Sequence, residues 1–336
     1  MKEKIWALMV YLSENQWVQM LKNELNFDDD FWDYILKKSS ECGINTILLE
    51  VGDGVKFETH PEISMPDAWS HERVRKEVKK CRELGIALIP KLNFSSAHSF
   101  WMKEWRNMTS SKPYYDFCRD IIQEIYEMFE KPEYIHIGYD EEVPLCCFKP
   151  EIEYQIMRKG KLLMDDFKFL IDEVNKTGAK PWAWYDPLWD HAEDYFKYMN
   201  LDEDVVLSPW YYMGLKKEHF QPLSKYNSDG TENELYKQGF RFAEHNPAIS
   251  NATGYWFSDE VLKVMKHGFK YIPTPSVYCN DNNTDDMVEY FKNGAPDEQI
   301  FGYLTAPWVS TVWENKETID KSVELLAAAR KKYYGE

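Results

Sequence analysis

The sequence predicts an α/β protein, a single (β/α)8 TIM barrel with a long insertion after the sixth strand. Three observations lead there. Short β-rich runs alternate with amphipathic segments from end to end, the pattern of a parallel sheet with crossover helices. The strand runs number eight, the count that closes such a barrel. No linker or low-complexity tract interrupts the 336 residues, so residues 1–336 read as one domain, at a length common for single α/β barrels.

The first strand is IWALMVYL from Ile5. Its apolar run is far shorter than the ~20 residues of a membrane span. Glu3 precedes it and no small-residue cleavage site follows, so it reads as a buried strand rather than a signal peptide, with a cytoplasmic location as the expectation. The second strand is TILLEV from Thr46, followed by a helix that Ser70 caps and Gly85 stops, with Val74, Val78, Cys81 and Leu84 on one face. The third, IALIPKLNF from Ile86, leads past Trp101 and Trp105, which read as packing or lid residues, to a helix over 114–130. After YIHIGY from Tyr134, the fourth helix carries Leu163, Phe167, Leu170 and Val174 and stops at Gly178. PWAWY from Pro181 precedes a short helix near 190–199, and VVLSPWY from Val205 is the sixth strand. Residues 213–255 then form the long polar insertion, containing NSDGTEN, of a kind used as a lid or interaction element. A helix over 258–267, YIPTPSVY from Tyr271, a helix over 285–292, IFGYLTAPW from Ile300 and a helix over 316–330 complete the order.

Composition narrows the function. Lys and Arg total 40 against 57 Asp and Glu, a net charge of −17, which repels phosphate backbones and anionic lipid and so excludes nucleic-acid or membrane binding as the main activity. Aromatic residues make up 16% of the chain, with 13 Trp, more than a core requires; flat rings with a polar edge suit the faces of sugars. The six cysteines show neither paired spacing nor CxxC, which fits reduced thiols. The adjacent Cys146 and Cys147 have no His or Cys at ligand spacing and the first strand carries no His-x-His, so no metal or cofactor is expected. Nothing directly marks an oligomeric state, and a homodimer is allowed.

In such barrels chemistry sits where the C-terminal strand ends meet. Those ends carry Asp53; Asn93 and His98; Asp140, Glu141 and Glu142; Trp184 and Asp186; Trp210, Tyr211 and Tyr212; and Trp308, Trp313 and Glu314. Carboxylates ringed by Trp and Tyr suit glycoside cleavage, which needs a proton donor, an anionic partner for the oxocarbenium-like carbon, and aromatic walls. In YIHIGYDEE, strand alternation turns Ile135 and Ile137 toward the helices and His136, Gly138 and Asp140 into the barrel. Taken alone, the run reads equally well as an acidic strand-to-loop turn.

The segment His136-Ile137-Gly138-Tyr139-Asp140-Glu141 resembles the His-x-Gly-Gly-Asp-Glu hallmark of glycoside hydrolase family 20, the β-N-acetylhexosaminidases. Residues 59–98, ending IPKLNFSSAH, are similar to that family's passage between the second and third strands, LSPWYY from Leu207 is similar to its Pro-Trp-Tyr segment, and Trp184 and Trp308 sit where it supplies pocket tryptophans. The resemblance implies a carbohydrate substrate ending in a β-linked N-acetylhexosamine or related sugar. It implies Glu141 as general acid and Asp140 orienting the 2-acetamido group, whose oxygen is the nucleophile. It further implies Tyr211 as a hydrogen-bond partner of that oxygen, Trp184, Trp210 and Trp308 as the wall, His98 and His136 as partners of the acid, and Glu314 on a sugar hydroxyl, while the residues themselves read equally as satisfied core histidines at 98 and 136 and as the first turn of the last helix at Glu314. Asp53 and Asn93 are further candidates for sugar contact, and Asp186 reads either as a second carboxylate of another glycosidase mechanism or as a structural hydrogen-bond acceptor. The departures are LSENQW in place of the family's strand-one Arg, Tyr139 for Gly, and Lys91 and Asn93 for Glu and Asp. They leave open a glycosidase for a sugar lacking the N-acetyl group, or a catalytically silent sugar-binding barrel.

Overall fold

The computed structural model describes residues 3–16, 21–143, 155–189, 192–199, 205–212, 215–216 and 268–335. Cys146, Cys147, nearly all of the 213–255 insertion and the helix expected over 258–267 lie outside the described residues. The strands are β1 (Ile5–Tyr11), β2 (Thr46–Glu50), β3 (Ala87–Lys91), β4 (Tyr134–His136), β5 (Lys180–Trp184), β6 (Val206–Ser208), β7 (Lys270–Tyr271) and β8 (Gly302–Thr305). All pair in parallel in the order β7-β6-β5-β4-β3-β2-β1-β8. Hydrogen bonds from Phe301 N to Tyr271 O (2.8 Å), Leu304 N to Pro273 O (3.0 Å) and Ala306 N to Pro275 O (3.1 Å) join the ends and close the barrel.

Every expected strand is present, and most are shorter than their apolar runs. Proline explains part of this: Pro209, Pro273, Pro275 and Pro307 have no N–H to donate, so the regular ladder stops while the extended chain continues. Alternation along the strands builds two apolar layers. Trp6, Leu8, Val10, Ile135, Ile137 and Leu207 point outward to the helices, whereas Ala7, Met9, Leu48, Ile89, Trp182, Trp184 and Val206 fill the barrel.

The helices described are α1 (Asp29–Glu41), α2 (His71–Glu83), α3 (Lys112–Met128), α4 (Gly160–Thr177), α5 (Asp186–Trp189), α6 (Ala192–Tyr198), α7 (Asn283–Gly294) and α8 (Lys316–Tyr334). Ser70 caps α2 by accepting the Arg73 N–H at 3.1 Å. Leu84 lies beyond the last turn of α2 and is 36% exposed, so it does not extend the buried face. Glu77 is buried there instead, its carboxylate satisfied by Trp32 Nε1 (2.8 Å), Arg73 Nε (2.7 Å) and Lys80 Nζ (3.0 Å). Among the described residues no helix is long and apolar enough to cross a membrane.

Two 3-10 segments, Ser96–His98 and Phe100–Met108, follow β3 and shape the C-terminal rim of the barrel. Trp101 is fully buried and donates from Nε1 to Asn93 O at 2.7 Å, while Trp105 stacks on Phe117; both pack, as their spacing suggests.

Candidate active site

The site begins where β4 runs out. Ile137 N still bonds Trp182 O (2.8 Å) and Trp184 N bonds Gly138 O (2.9 Å), so the chain stays docked on β5 as it turns. The turn places Gly138 at φ 66° and Tyr139 at φ 69°, both left-handed. A Cβ at residue 138 would collide with the Asn93 side chain, so glycine is required there. Left-handed backbone costs Tyr139 about 1 kcal/mol. The ring offsets this by stacking on Phe167 (4.8 Å), lying under the Arg158 guanidinium (4.6 Å) and donating its hydroxyl to Leu163 O at 2.7 Å.

Past this turn, Asp140 and Glu141 meet His98. His98 Nε2 lies 3.2 Å from Asp140 Oδ2 and 3.1 Å from Glu141 Oε2. Asp140 Oδ1 also accepts from Asn93 Nδ2 (3.0 Å) and Ser95 Oγ (2.8 Å). Burial disfavours charge on both members of the pair, but each stabilises the other. Asp140 and Glu141 push the His98 pKa up to about 10 despite its burial. Burial of Asp140 is likewise outweighed by His98, Lys91 and Asn93, which hold its carboxyl well below the usual range. Asp140 is therefore a fixed anion, while the Glu141 side chain remains 39% exposed to incoming ligand.

One layer deeper, Lys91 forms a buried ion pair with Glu50, and its ammonium lies 5.7 Å from the centre of the Trp184 ring. Burial raises the Glu50 pKa although Lys91 opposes it. Above this floor runs an aromatic chain: Trp184 to Trp308 at 5.8 Å, Trp308 to Tyr212 at 5.9 Å and Tyr212 to Trp210 at 5.2 Å. Asp186 accepts from Trp210 Nε1 at 2.8 Å and orients that ring. Trp308, like Tyr139, is a non-glycine residue held in the left-handed region, at φ 55°.

The profile of glycosyl hydrolase family 20, catalytic domain, matches residues 54–229, more than half of the chain. The chain belongs to glycosyl hydrolase family 20. Its relatives include the lacto-N-biosidase of Bifidobacterium bifidum, 22% identical over 311 residues that make up 86% of this chain and 25% of the relative. The family 20 chain thus spans about a quarter of that curated relative's length. Among solved structures it is similar to the GH20 β-N-acetylhexosaminidase from Streptomyces coelicolor A3(2), with a TM-score of 0.60, 13% identity and coverage of 99% of this chain and 69% of that one. It is also similar to the GH20 exo β-N-acetylglucosaminidase from Vibrio harveyi, with a TM-score of 0.56, 13% identity, and 99% and 57% coverage. At such identities these structures establish the shared barrel.

Within the family 20 barrel, the structure brings Asp140, Glu141 and His98 together and ranges Trp184, Trp210 and Trp308 in one aromatic chain. Other expected ligands fall elsewhere. Tyr211 packs in the outward, helix-facing layer, and it is Tyr212 that stands between Trp210 and Trp308. Burial and the carboxylates of Asp186, Asp140 and Glu141 raise the Tyr212 pKa well above its ordinary value, keeping the phenol protonated as a donor. Asn93 is buried support: its Oδ1 accepts from Ser95 N (3.2 Å) and Tyr139 N (3.3 Å) while its Nδ2 donates to Asp140.

His136 is a core residue. Its Nδ1 accepts the Gly138 N–H at 3.0 Å and its ring packs on Trp182 and Trp184, while burial and then Lys91 hold its pKa far below the usual range. Glu314 is exposed on the 3-10 turn Trp313–Asn315, whose Trp313 packs on Phe31 and Tyr34 of α1, so both lie on the outer rim rather than in the aromatic chain. Asp53 sits in a separate network, accepting from Ser13 Oγ (2.6 Å) and Asn15 Nδ2 (2.9 Å), and borders a cleft of about 720 Å³ with Met65, Phe100 and Arg106.

Sequence reasoning overlooked Ser95 and Arg158, and it placed Tyr212 at a strand end without giving it a role. Strand alternation from Trp210 signals Tyr212, whereas Arg158 has no local motif to reveal it.

Proposed function

We propose that this protein is a retaining glycosidase that removes a terminal β-linked N-acetylhexosamine by substrate assistance. The observation that carries the reading is the shared contact of Asp140 and Glu141 with His98 beside the Trp and Tyr wall. Two successive residues on one imidazole nitrogen stand on one side of the pocket. A retaining scheme with a protein nucleophile instead sets its two carboxylates on either side of the scissile bond. The resemblance to family 20 assigns the nucleophile to the substrate's own acetamido oxygen, and the one-sided placement of Asp140 and Glu141 is compatible with it. Glu141 gives its proton to the glycosidic oxygen as the C1–O bond breaks and the acetamido oxygen bonds C1. The anion of Asp140 accepts the acetamido N–H and stabilises the positive oxazolinium that forms. Water then adds to C1, its proton returns to Glu141, and the acetamido group is restored.

Kinetics on aryl β-N-acetylglucosaminides and galactosaminides test the assignment. Glu141→Gln is expected to lose about a hundredfold or more in rate on poor leaving groups and much less on dinitrophenyl glycosides, which need no acid. Asp140→Asn is expected to slow both substrate types. Unchanged turnover in both variants would remove the assignment. The strand-one end, which carries an Arg in the family, here has Ser13, Glu14 and Asn15, with Asp53 already held by Ser13 and Asn15. That arrangement favours the second reading, altered sugar specificity, and a β-glucoside in the same panel distinguishes the two.

A further inference from the structure

Glu141 is followed by a second carboxylate with a different environment. The Glu142 side chain is 2% exposed, and it meets the guanidinium of Arg158, whose side chain is fully buried. Arg158 Nε donates to Glu142 Oε1 at 3.1 Å and the Arg158 backbone N–H to Oε2 at 2.8 Å. The same guanidinium reaches Phe94 O from Nη2 (2.6 Å) and Asp166 Oδ2 from Nη1 (3.2 Å). Asp166 is anchored on α4 by Ser110 Oγ (2.6 Å) and Tyr115 OH (2.5 Å).

These bonds cross between the two loops that make the catalytic cluster. Glu142 Oε1 accepts the Ser96 N–H (3.0 Å) and Glu141 O accepts the Ala97 N–H (3.2 Å), and Ser96 and Ala97 begin the 3-10 turn that ends at His98. One carboxylate and one guanidinium thus fix the backbone on both sides of the Glu141–His98 contact. A planar fork with donors on three nitrogens is suited to this; an ammonium has the charge without the geometry. Removing either partner would strand the other buried charge.

We propose that Glu142 and Arg158 are positioning residues for the general acid, holding Glu141 against His98 at the depth where it reaches the glycosidic oxygen. The proposal rests on Glu141 being the acid. It predicts a kinetic signature that a purely structural role lacks. In Arg158→Lys and in Glu142→Gln, kcat/KM for an alkyl β-N-acetylhexosaminide should fall about a hundredfold, the scale of an ångström's misplacement. With a 2,4-dinitrophenyl leaving group it should fall no more than a few-fold, with KM unchanged.

Melting temperature is measured alongside. Equal losses on both substrates, in step with a lowered melting temperature, would overturn the proposal, as would full activity on the alkyl glycoside. The isosteric Glu142→Gln keeps the test decisive should Arg158→Lys not fold. Glu141→Gln is the control: if it shows no leaving-group dependence the acid assignment itself fails, whereas dependence in Glu141→Gln alone refutes only the role of Glu142 and Arg158.

Discussion

His98 ties the site together, because its buried imidazolium pairs with the Asp140 anion and lies in hydrogen-bond reach of Glu141. Its folded pKa, pushed up to about 10, exceeds the ordinary 6.5, so its contribution to stability is full below 6.5 and is lost as pH rises toward 10. Asp140 is depressed below its ordinary 3.8, so its contribution is present above that value and is lost as pH falls further. Nitrogen-15 NMR of the imidazole should therefore find His98 cationic at pH 8 and its titration moved toward ordinary values in Asp140→Asn; a wild-type midpoint near 6.5 would refute the charge assignment. At this scale the sequence was legible where a motif constrained it, as at Asp140, Glu141 and His98. It was opaque where side-chain direction decided. Tyr211 and Tyr212 differ only in which face of one strand end they occupy, and Glu314 follows a Trp that packs on α1 instead of in the pocket.

Elements were more legible than residues, since period and stop signals are repeated along each one. All eight strands start within two residues of the expected positions, and the Ser70 cap and the Gly178 stop are both in place, the latter at φ 100°. Strand ends were misjudged because extended chain continues past the last ladder bond wherever proline withholds an N–H. The face of α2 was misread at two positions: the helix ends before Leu84, and the buried face includes Glu77, whose carboxylate is satisfied by Trp32, Arg73 and Lys80, contacts that no local pattern encodes. The cap itself allows a simple test. Ser70→Ala removes the acceptor for Arg73 N–H and should cost about 1 kcal/mol. Because α2 lies on the outer wall, kcat/KM should not change; denaturant melts alongside kinetics would show whether this element is coupled to the site.

Across the whole molecule, closure of the barrel converts scattered strand ends into one site. Gly302 matters here, since any Cβ would collide with Ile5 O across the β1–β8 seam. The aromatic surplus divides accordingly: Trp6, Trp32 and Trp69 are buried packing, whereas Trp184, Trp210 and Trp308 with Tyr212 face the carboxylates. What composition could not distinguish, topology does, because only residues at the C-terminal strand ends converge. In the proposed mechanism this convergence stabilises an oxazolinium formed from the substrate, with Asp140 as its anionic partner. Isothermal titration with a thiazoline analogue of that intermediate tests it most directly. One site per chain is expected, with affinity reduced about a hundredfold, roughly 2.7 kcal/mol, in Asp140→Asn; absence of binding to the wild-type protein, or equal affinity in Asp140→Asn, would refute the mechanism.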